Sequence, residues 1–281
     1  MSFKTILAVV ELADSLEDRL RNTVDFVRSF DAHLAILLVG EATQLPFYGY
    51  GGEGYSKIWV TESEARAATL RDAVSEIEIF LKREGVSFDV RAHQAIIQRE
   101  DNLVARHAMY SDLTVIIRSA GDTRSTVERQ AIDGALFDSG RPILYMPDPN
   151  GLDVIGKRVL VAWNSRAEAA EALSDALPIL KNADSVTLLI VDPVVGPDDH
   201  GEDPGSDMAL VLARHDINVE VRSVEAAGRL TSTVLQEEAR RLQSDLIVMG
   251  AYGHSRMKQN ILGGTTREML ETSDVPLFLA N

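Results

Sequence analysis

Gly250-Ala251-Tyr252-Gly253, nine further residues at 254–262, and then Gly263-Gly264-Thr265-Thr266 form the stretch of this chain whose residue types and spacing point to a defined chemistry. Ahead of it stands the apolar run Leu246-Ile247-Val248-Met249, which reads as a buried strand, and a helical pattern follows it. Glycines at a strand's end let a ligand approach the main chain, while the free amides and dipole of a helix start favour a phosphate. Thr265 and Thr266 add hydroxyls, and Ser255 and Arg256 inside the loop are further candidate contacts. The stretch lacks the lysine of a P-loop, G-x-x-x-x-G-K-(S/T), and does not follow the G-x-G-x-x-G dinucleotide fingerprint. The competing reading is that these are turn glycines serving architecture alone.

No paired carboxylates, nucleophile elbow or metal motif accompanies the loop, so neither catalytic residues nor a metal site is expected. Asp198, Asp199, His200, Glu202 and Asp203 read as a solvent-facing acidic turn rather than a cation site, in a chain whose formal charge is -15. His33, His93, His107 and His215 show no ligand spacing, and Phe47, Tyr48, Tyr50 and Tyr55 read as the packing of an insertion loop. The absence of cysteine excludes disulfides, thiolate metal sites and cysteine nucleophiles. A net negative field repels nucleic acid, although a small nucleotide can still be met locally by backbone amides. No stretch approaches the roughly 18 uncharged apolar residues of a membrane span, and residues 1–10 run into a strand without a basic and apolar leader. These features lead us to expect a soluble, cytoplasmic protein that engages neither nucleic acid nor membrane.

The elements that would position the glycine loop occur twice. Ile6-Leu7-Ala8-Val9-Val10 and Val159-Leu160-Val161-Ala162-Trp163 are short apolar runs of the kind buried on both faces of a parallel sheet. Each precedes a helical stretch, 15–30 and 166–181, and then a second apolar strand, 34–39 and 186–191. Ser111-Asp112-Leu113 and Ser244-Asp245-Leu246 open matching fourth strands, and Pro142-Ile143-Leu144-Tyr145-Met146 and Pro276-Leu277-Phe278-Leu279-Ala280 close both copies. The first copy carries an insertion with a loop at 46–55 and a long helix predicted to open at the capping box Thr61-x-x-Glu64, with Leu70, Val74, Ile77 and Leu81 on one face before Gly85. Turn residues Asp148-Pro149-Asn150-Gly151 mark the predicted linker between domains at 1–149 and 155–281, each long enough for a core of its own. Alternating strands and helices imply an α/β fold whose ligands bind beyond the carboxyl ends of the strands, after Val10, Val39, Trp163, Val191 and Met249.

At this point the chain resembles the universal stress protein family, whose nucleotide-binding members carry G-x2-G-x9-G-(S/T) after the fourth strand; Gly250, Gly253 and Gly263 match it, with Gly264 where Ser or Thr is usual. The resemblance covers both halves, as in tandem members. It implies two repeated domains, each a five-stranded parallel sheet of order 3-2-1-4-5 with helices on both faces, and a cytoplasmic role in stress tolerance. It also implies an adenine nucleotide, ATP or AMP with or without Mg, beside Asn164, where the family places an Asp after the first strand, and beside the backbone of Val191. Ala162 and Met249, at the ends of the first and fourth strands, complete the expected site.

The same positions of the first copy read Glu11 and Val39, its loop reads Ile117-Arg118-Ser119-Ala120-Gly121, and the repeat alignment puts Gln130 and Ala131 opposite Gly264 and Thr265. That copy is expected to have lost the site. The apolar terminal strands at 143–146 and 277–280 are predicted to pair antiparallel within the chain as a pseudo-twofold dimer, with homodimer formation left open. The functional expectation is an adenine-nucleotide-binding regulatory protein with its site in the second copy and no enzymatic activity. A nucleotide-free interaction protein with architectural glycines and a slow ATPase are the alternatives.

Overall fold

The computed structural model describes residues 2–13, 15–41, 53–95, 103–118, 124–147, 154–194, 196, 203–251 and 264–281. The first half runs β1 (Thr5–Glu11), α1 (Leu16–Ser29), β2 (His33–Glu41), α2 (Glu53–Glu84), β3 (Phe88–Ala95), α3 (Leu103–Ala108), β4 (Leu113–Ile117), α4 (Thr126–Asp133) and β5 (Ile143–Met146), with a wide π-helical turn, Gly134–Asp138, between the last two. The second half repeats the plan: β6 (Arg158–Ala162), α5 (Ala167–Leu180), β7 (Ser185–Val191), α6 (Ser206–Ala213), β8 (Val219–Val224), α7 (Thr231–Arg241), β9 (Leu246–Gly250), α8 (Gly264–Thr272) and β10 (Leu277–Ala280). The linker residues 148–151 lie outside the described residues.

The strands line up as β3-β2-β1-β4-β5-β10-β9-β6-β7-β8, so the order 3-2-1-4-5 appears in each half and the two runs join into one ten-stranded sheet. Within each half the neighbours are parallel, and at the join Leu277, Phe278 and Leu279 lie antiparallel to Tyr145, Leu144 and Ile143. All four residues of β5 and all four of β10 are buried. A strand this apolar cannot stand at a sheet edge without inviting a partner, and each supplies the other's.

Each strand alternates its side chains between two helical layers, and both layers run through the whole molecule. On one face Ile6 and Ala8 of β1 and Val159 and Val161 of β6 pack under Leu20 and Val24 of α1 and Leu173 and Ala176 of α5. On the other, Leu7, Val9 and Leu160 pack under Ala131 of α4, Leu136 of the π turn, Leu235 of α7 and Met269 and Leu270 of α8. The sequence led us to expect a separate core for each domain. Instead, the antiparallel join makes both cores continuous, since the side chains of β5 and β10 belong to the same two layers.

The repeated Ser-Asp pair has a local task in both halves. Asp245 accepts hydrogen bonds from the amides of Gly156 (2.8 Å), Lys157 (2.9 Å) and Arg158 (3.0 Å), fixing the start of β6. Asp112 does the same at the start of β1 with Lys4 (2.7 Å) and Thr5 (3.0 Å). These side chains satisfy amides that begin a buried strand and would otherwise lack a partner.

Two expected boundaries shift. Helix α2 begins at Glu53, upstream of the capping box at Thr61 and Glu64, and buries Leu70, Ile77 and Leu81 as predicted, with Val74 packed against them. A capping box is a local preference of about 1 kcal/mol, and helix continues through it when the preceding residues tolerate helix too. In the first half the helix after β4 starts at Thr126, where the Ser125 hydroxyl accepts from the Glu128 amide at 3.0 Å. Gln130 and the fully buried Ala131 therefore lie inside α4, not at its start opposite Gly264 and Thr265. The π turn absorbs the added length before β5.

Candidate functional site

The candidate site is assembled where β6, β7 and β9 end. After β6 the chain turns through Trp163, Asn164, Ser165 and Arg166 into α5; Ser165 takes a left-handed φ of 56°, and the Asn164 Oδ1 accepts from the Arg166 amide at 3.2 Å. That bond folds Asn164 into an Asx turn at the head of the helix. Beyond β9 the Ala251 amide reaches the carbonyl of Ala280 at 2.7 Å, and α8 begins at Gly264. Helix α8 is held against α7 by the Ser232 hydroxyl, which donates to Glu268 at 2.6 Å, and by the Gln236 amide, which donates to the Thr272 hydroxyl at 2.8 Å.

A cavity of about 330 Å³ lies between these elements. Ala162, Leu189, Val191, Met249 and Gly250 line it from the sheet; Trp163, Asn164, Arg166, Glu168 and Ala169 from the β6 to α5 turn; Thr231 and Leu235 from α7; and Gly264, Thr265 and Thr266 from the start of α8. The structure thus brings together Ala162, Asn164, Val191, Met249, Gly250, Gly264, Thr265 and Thr266 of the residues expected from the sequence. Gly253, Ser255, Arg256 and Gly263 lie outside the described residues. Apolar strand ends on one side and a helix start with hydroxyls on the other suit a ligand with a flat apolar part and an anionic part.

Two glycines of the loop prove to have different physical reasons. A Cβ on Gly250 would sit 2.6 Å from the Ala169 nitrogen and 2.6 Å from the Glu168 carbonyl carbon, both backbone atoms, so this glycine is required by the approach of α5 to β9. The sequence reading had assigned it to the approach of a ligand. At Gly264 a Cβ would meet nothing described within 4 Å, and the residue is exposed at the cavity's rim. Thr266 is only 4% exposed, whereas Thr265 is half-buried.

Sequence reasoning did not select Trp163, Arg166, Glu168, Ala169, Leu189, Thr231 or Leu235. Arg166, Glu168 and Ala169 sit within five positions of Asn164, and their helical spacing was a usable signal. Thr231 and Leu235, in contrast, come from a helix whose sequence carries no motif. A second cavity, about 460 Å³, lies at the amino end of β6 between Phe26 and Phe30 of α1 and Ile155, Lys157 and Asn182. It lies away from the carboxyl ends of the strands and from the glycine-led helix start.

At the start of α4 and the end of β4 in the first half, buried polar side chains bond within the protein. Tyr145, fully buried, donates to the Glu128 carboxylate at 2.9 Å, and Arg19 donates to the carbonyl of Arg118, the residue after β4, at 3.1 Å. Arg19 and Glu128 are 8% and 3% exposed. Burial lowers the Arg19 pKa while Glu11 and Glu128 act against that, and burial together with Glu128 pushes the Tyr145 phenol well above its ordinary value. Ser119, Ala120 and Gly121 lie outside the described residues.

The fold is doubly wound α/β, with a cavity at the carboxyl ends of its second set of parallel strands. Residues 156–280 match the model of the Universal stress protein family. Across the whole chain the fold is that of a universal stress protein from Archaeoglobus fulgidus DSM 4304, with a TM-score of 0.70, 18% identity, and coverage of 99% of this chain and 96% of that one. A candidate universal stress protein from Pseudomonas aeruginosa UCBPP-PA14 (TM-score 0.60, 14% identity, 99% and 93% covered) is similar in the same way. So is a functionally unknown protein from Pseudomonas aeruginosa PAO1 (TM-score 0.60, 13% identity, 99% and 92% covered). No curated protein matches the sequence. Among the described residues no helix is long and apolar enough to cross a membrane, and no group of three or more His, Cys, Asp or Glu side chains is placed to hold a metal ion.

Proposed function

We propose that this protein binds one adenine nucleotide, AMP or ATP, in the cavity of its second half and acts as a stress-response regulator in the cytoplasm rather than as an enzyme. The observation that carries this reading is the convergence, on one cavity, of a glycine-led helix start at Gly264–Thr266 with the strand ends Ala162, Val191 and Met249 and the turn residue Asn164. The base would lie against Val191 and Ala162, and the phosphates would meet the amides of Gly264 and Thr265, with Gly253, Ser255, Arg256 and Gly263 as the further contacts expected from the sequence. A magnesium ion would accompany the triphosphate. Universal stress proteins have been solved in complex with cAMP and with dAMP; for this chain the weight rests on the cavity.

On this reading the domains at 1–149 and 155–281 divide the work, the first serving as scaffold and partner surface, joined through β5 and β10 and open to further pairing between chains. The buried Arg19, Glu128 and Tyr145 support a first half without a ligand. The nucleotide-free interaction protein is favoured by one observation, the architectural reason for Gly250. Mass spectrometry of small molecules released from the purified full-length protein separates the two readings. We expect AMP or ATP in the released fraction, and a fraction without nucleotide from protein that also fails to bind added nucleotide would overturn the proposal.

A further inference from the structure

The Oε1 of Glu168 is buried and has no hydrogen-bond partner among the described residues, and Glu168 lines the candidate cavity. A buried acceptor without a donor is costly, more so when it is a carboxylate, so such an atom points to a partner that arrives with a ligand. Asn164 Oδ1, at the same turn, is already engaged, since it accepts from the Arg166 amide.

Glu168 stands in the first turn of α5, with its backbone pressed against Gly250 at the end of β9. Ala162 and Val191 at the strand ends, the start of α8, and the adjoining Gly250 and Glu168 all line this one cavity. A carboxylate only accepts hydrogen bonds, so it repels phosphate oxygens and takes hydroxyl donors. In a nucleotide laid from Val191 to Gly264 the part between base and phosphate is the sugar, which carries two hydroxyls.

We propose that Glu168 is a specificity-determining residue that accepts a hydrogen bond from a ribose hydroxyl of the bound nucleotide; this rests on the adenine-nucleotide reading of the same cavity. Glu168 then makes the site distinguish ribonucleotides from their deoxy counterparts and gives its buried oxygen the donor it lacks. A divalent cation bridging the carboxylate to the phosphates is the competing chemistry.

The test is calorimetric titration of the full-length protein and its Glu168→Ala and Glu168→Gln variants with AMP, 2′-deoxy-AMP and 3′-deoxy-AMP in EDTA, then with ATP in the presence and absence of Mg²⁺. We expect wild type to bind AMP about tenfold or more tightly than one of the two deoxy analogues, the range for a hydrogen bond to a charged group. Glu168→Ala should bring that ratio to about one, and Glu168→Gln, which keeps an acceptor oxygen, should fall between, with circular dichroism confirming that both variants fold. Wild type that binds AMP and the deoxy analogues equally, or a ratio that survives in Glu168→Ala, overturns the inference and leaves the nucleotide reading standing. Equal binding of all three in EDTA, with a Mg²⁺ dependence for ATP that Glu168→Ala removes, overturns it in favour of the cation. Wild type that binds none of these nucleotides removes both the nucleotide reading and this inference.

Discussion

Gly250 and Gly264 look alike in the sequence, yet their surroundings separate them. Replacing Gly250 by Ala puts a methyl group on the backbone of α5, which has no side chain that can rotate away, so Gly250→Ala should cost about 1–3 kcal/mol of stability. Gly264→Ala should leave stability within about 0.5 kcal/mol, because the added methyl meets nothing described. Urea unfolding monitored by circular dichroism checks both; equal midpoints for the two variants would contradict the packing argument. At this scale the sequence was informative where a residue type is rare for a physical reason. Gly250 and Gly264 were singled out by the glycine loop and Asn164 and Val191 by the family resemblance, and all four line one cavity. Glu168 and Thr231 could not be singled out, since a Glu in a helix's first turn and a Thr at a helix start are ordinary features whose convergence on a cavity is created by folding.

Among the elements, the strands were the most legible. Their apolar runs gave their positions, the family resemblance implied their order, and the proline-led apolar runs of β5 and β10 matched one another; both strands are buried along their full length. Helix starts were less legible: α2 begins upstream of its capping box, because a cap contributes little beside the packing of a whole helical face, and α4 begins at the Ser125 cap, earlier than the repeat alignment placed it. Helix α5 adds a feature that sequence alone does not reveal. Burial, reinforced by Glu171 one turn away, pushes the Asp175 pKa up to about 6, with Arg141 ahead of β5 opposing the shift. An aspartate is ordinarily near 3.9 in an unfolded chain, so between about pH 4 and pH 6 the folded state holds more protons than the unfolded one. Asp175 therefore contributes stability at low pH that is lost as pH rises through this window. Asp175→Asn should raise the urea midpoint relative to wild type more at about pH 7.5 than at about pH 4.5. A difference that is constant with pH would contradict this assignment.

At the scale of the molecule, the join between β5 and β10 governs how the halves behave. It is reinforced by Arg124, whose side chain is 10% exposed and lies 3.5 Å from Glu271 of α8, so the helix that opens at the candidate site also touches the first half. Residues 155–281 expressed alone should self-associate through β10, because the fully buried strand would become an edge. Sedimentation of that fragment as a soluble monomer would contradict the role given to the join. The repeat was readable from the sequence, and the strand order followed from the family resemblance. The continuity of the cores was not readable, because it depends on an antiparallel contact between strands whose paired residues lie 132 to 136 positions apart, Ile143 and Leu279 among them, that no local pattern encodes.

The claim on which the functional account rests is one nucleotide site per chain, built by the second half and not by the first. Calorimetric titration of the full-length protein with AMP and with ATP, alongside Gly263→Val, measures affinity and stoichiometry together. A branched side chain at Gly263 would stand where phosphate must approach the amides of the helix start. The account predicts one nucleotide bound per chain by wild type, and binding weakened far more by Gly263→Val than by Thr266→Ala, which removes a single hydroxyl. Two nucleotides per chain, or no binding by folded wild type at about millimolar nucleotide, would contradict it.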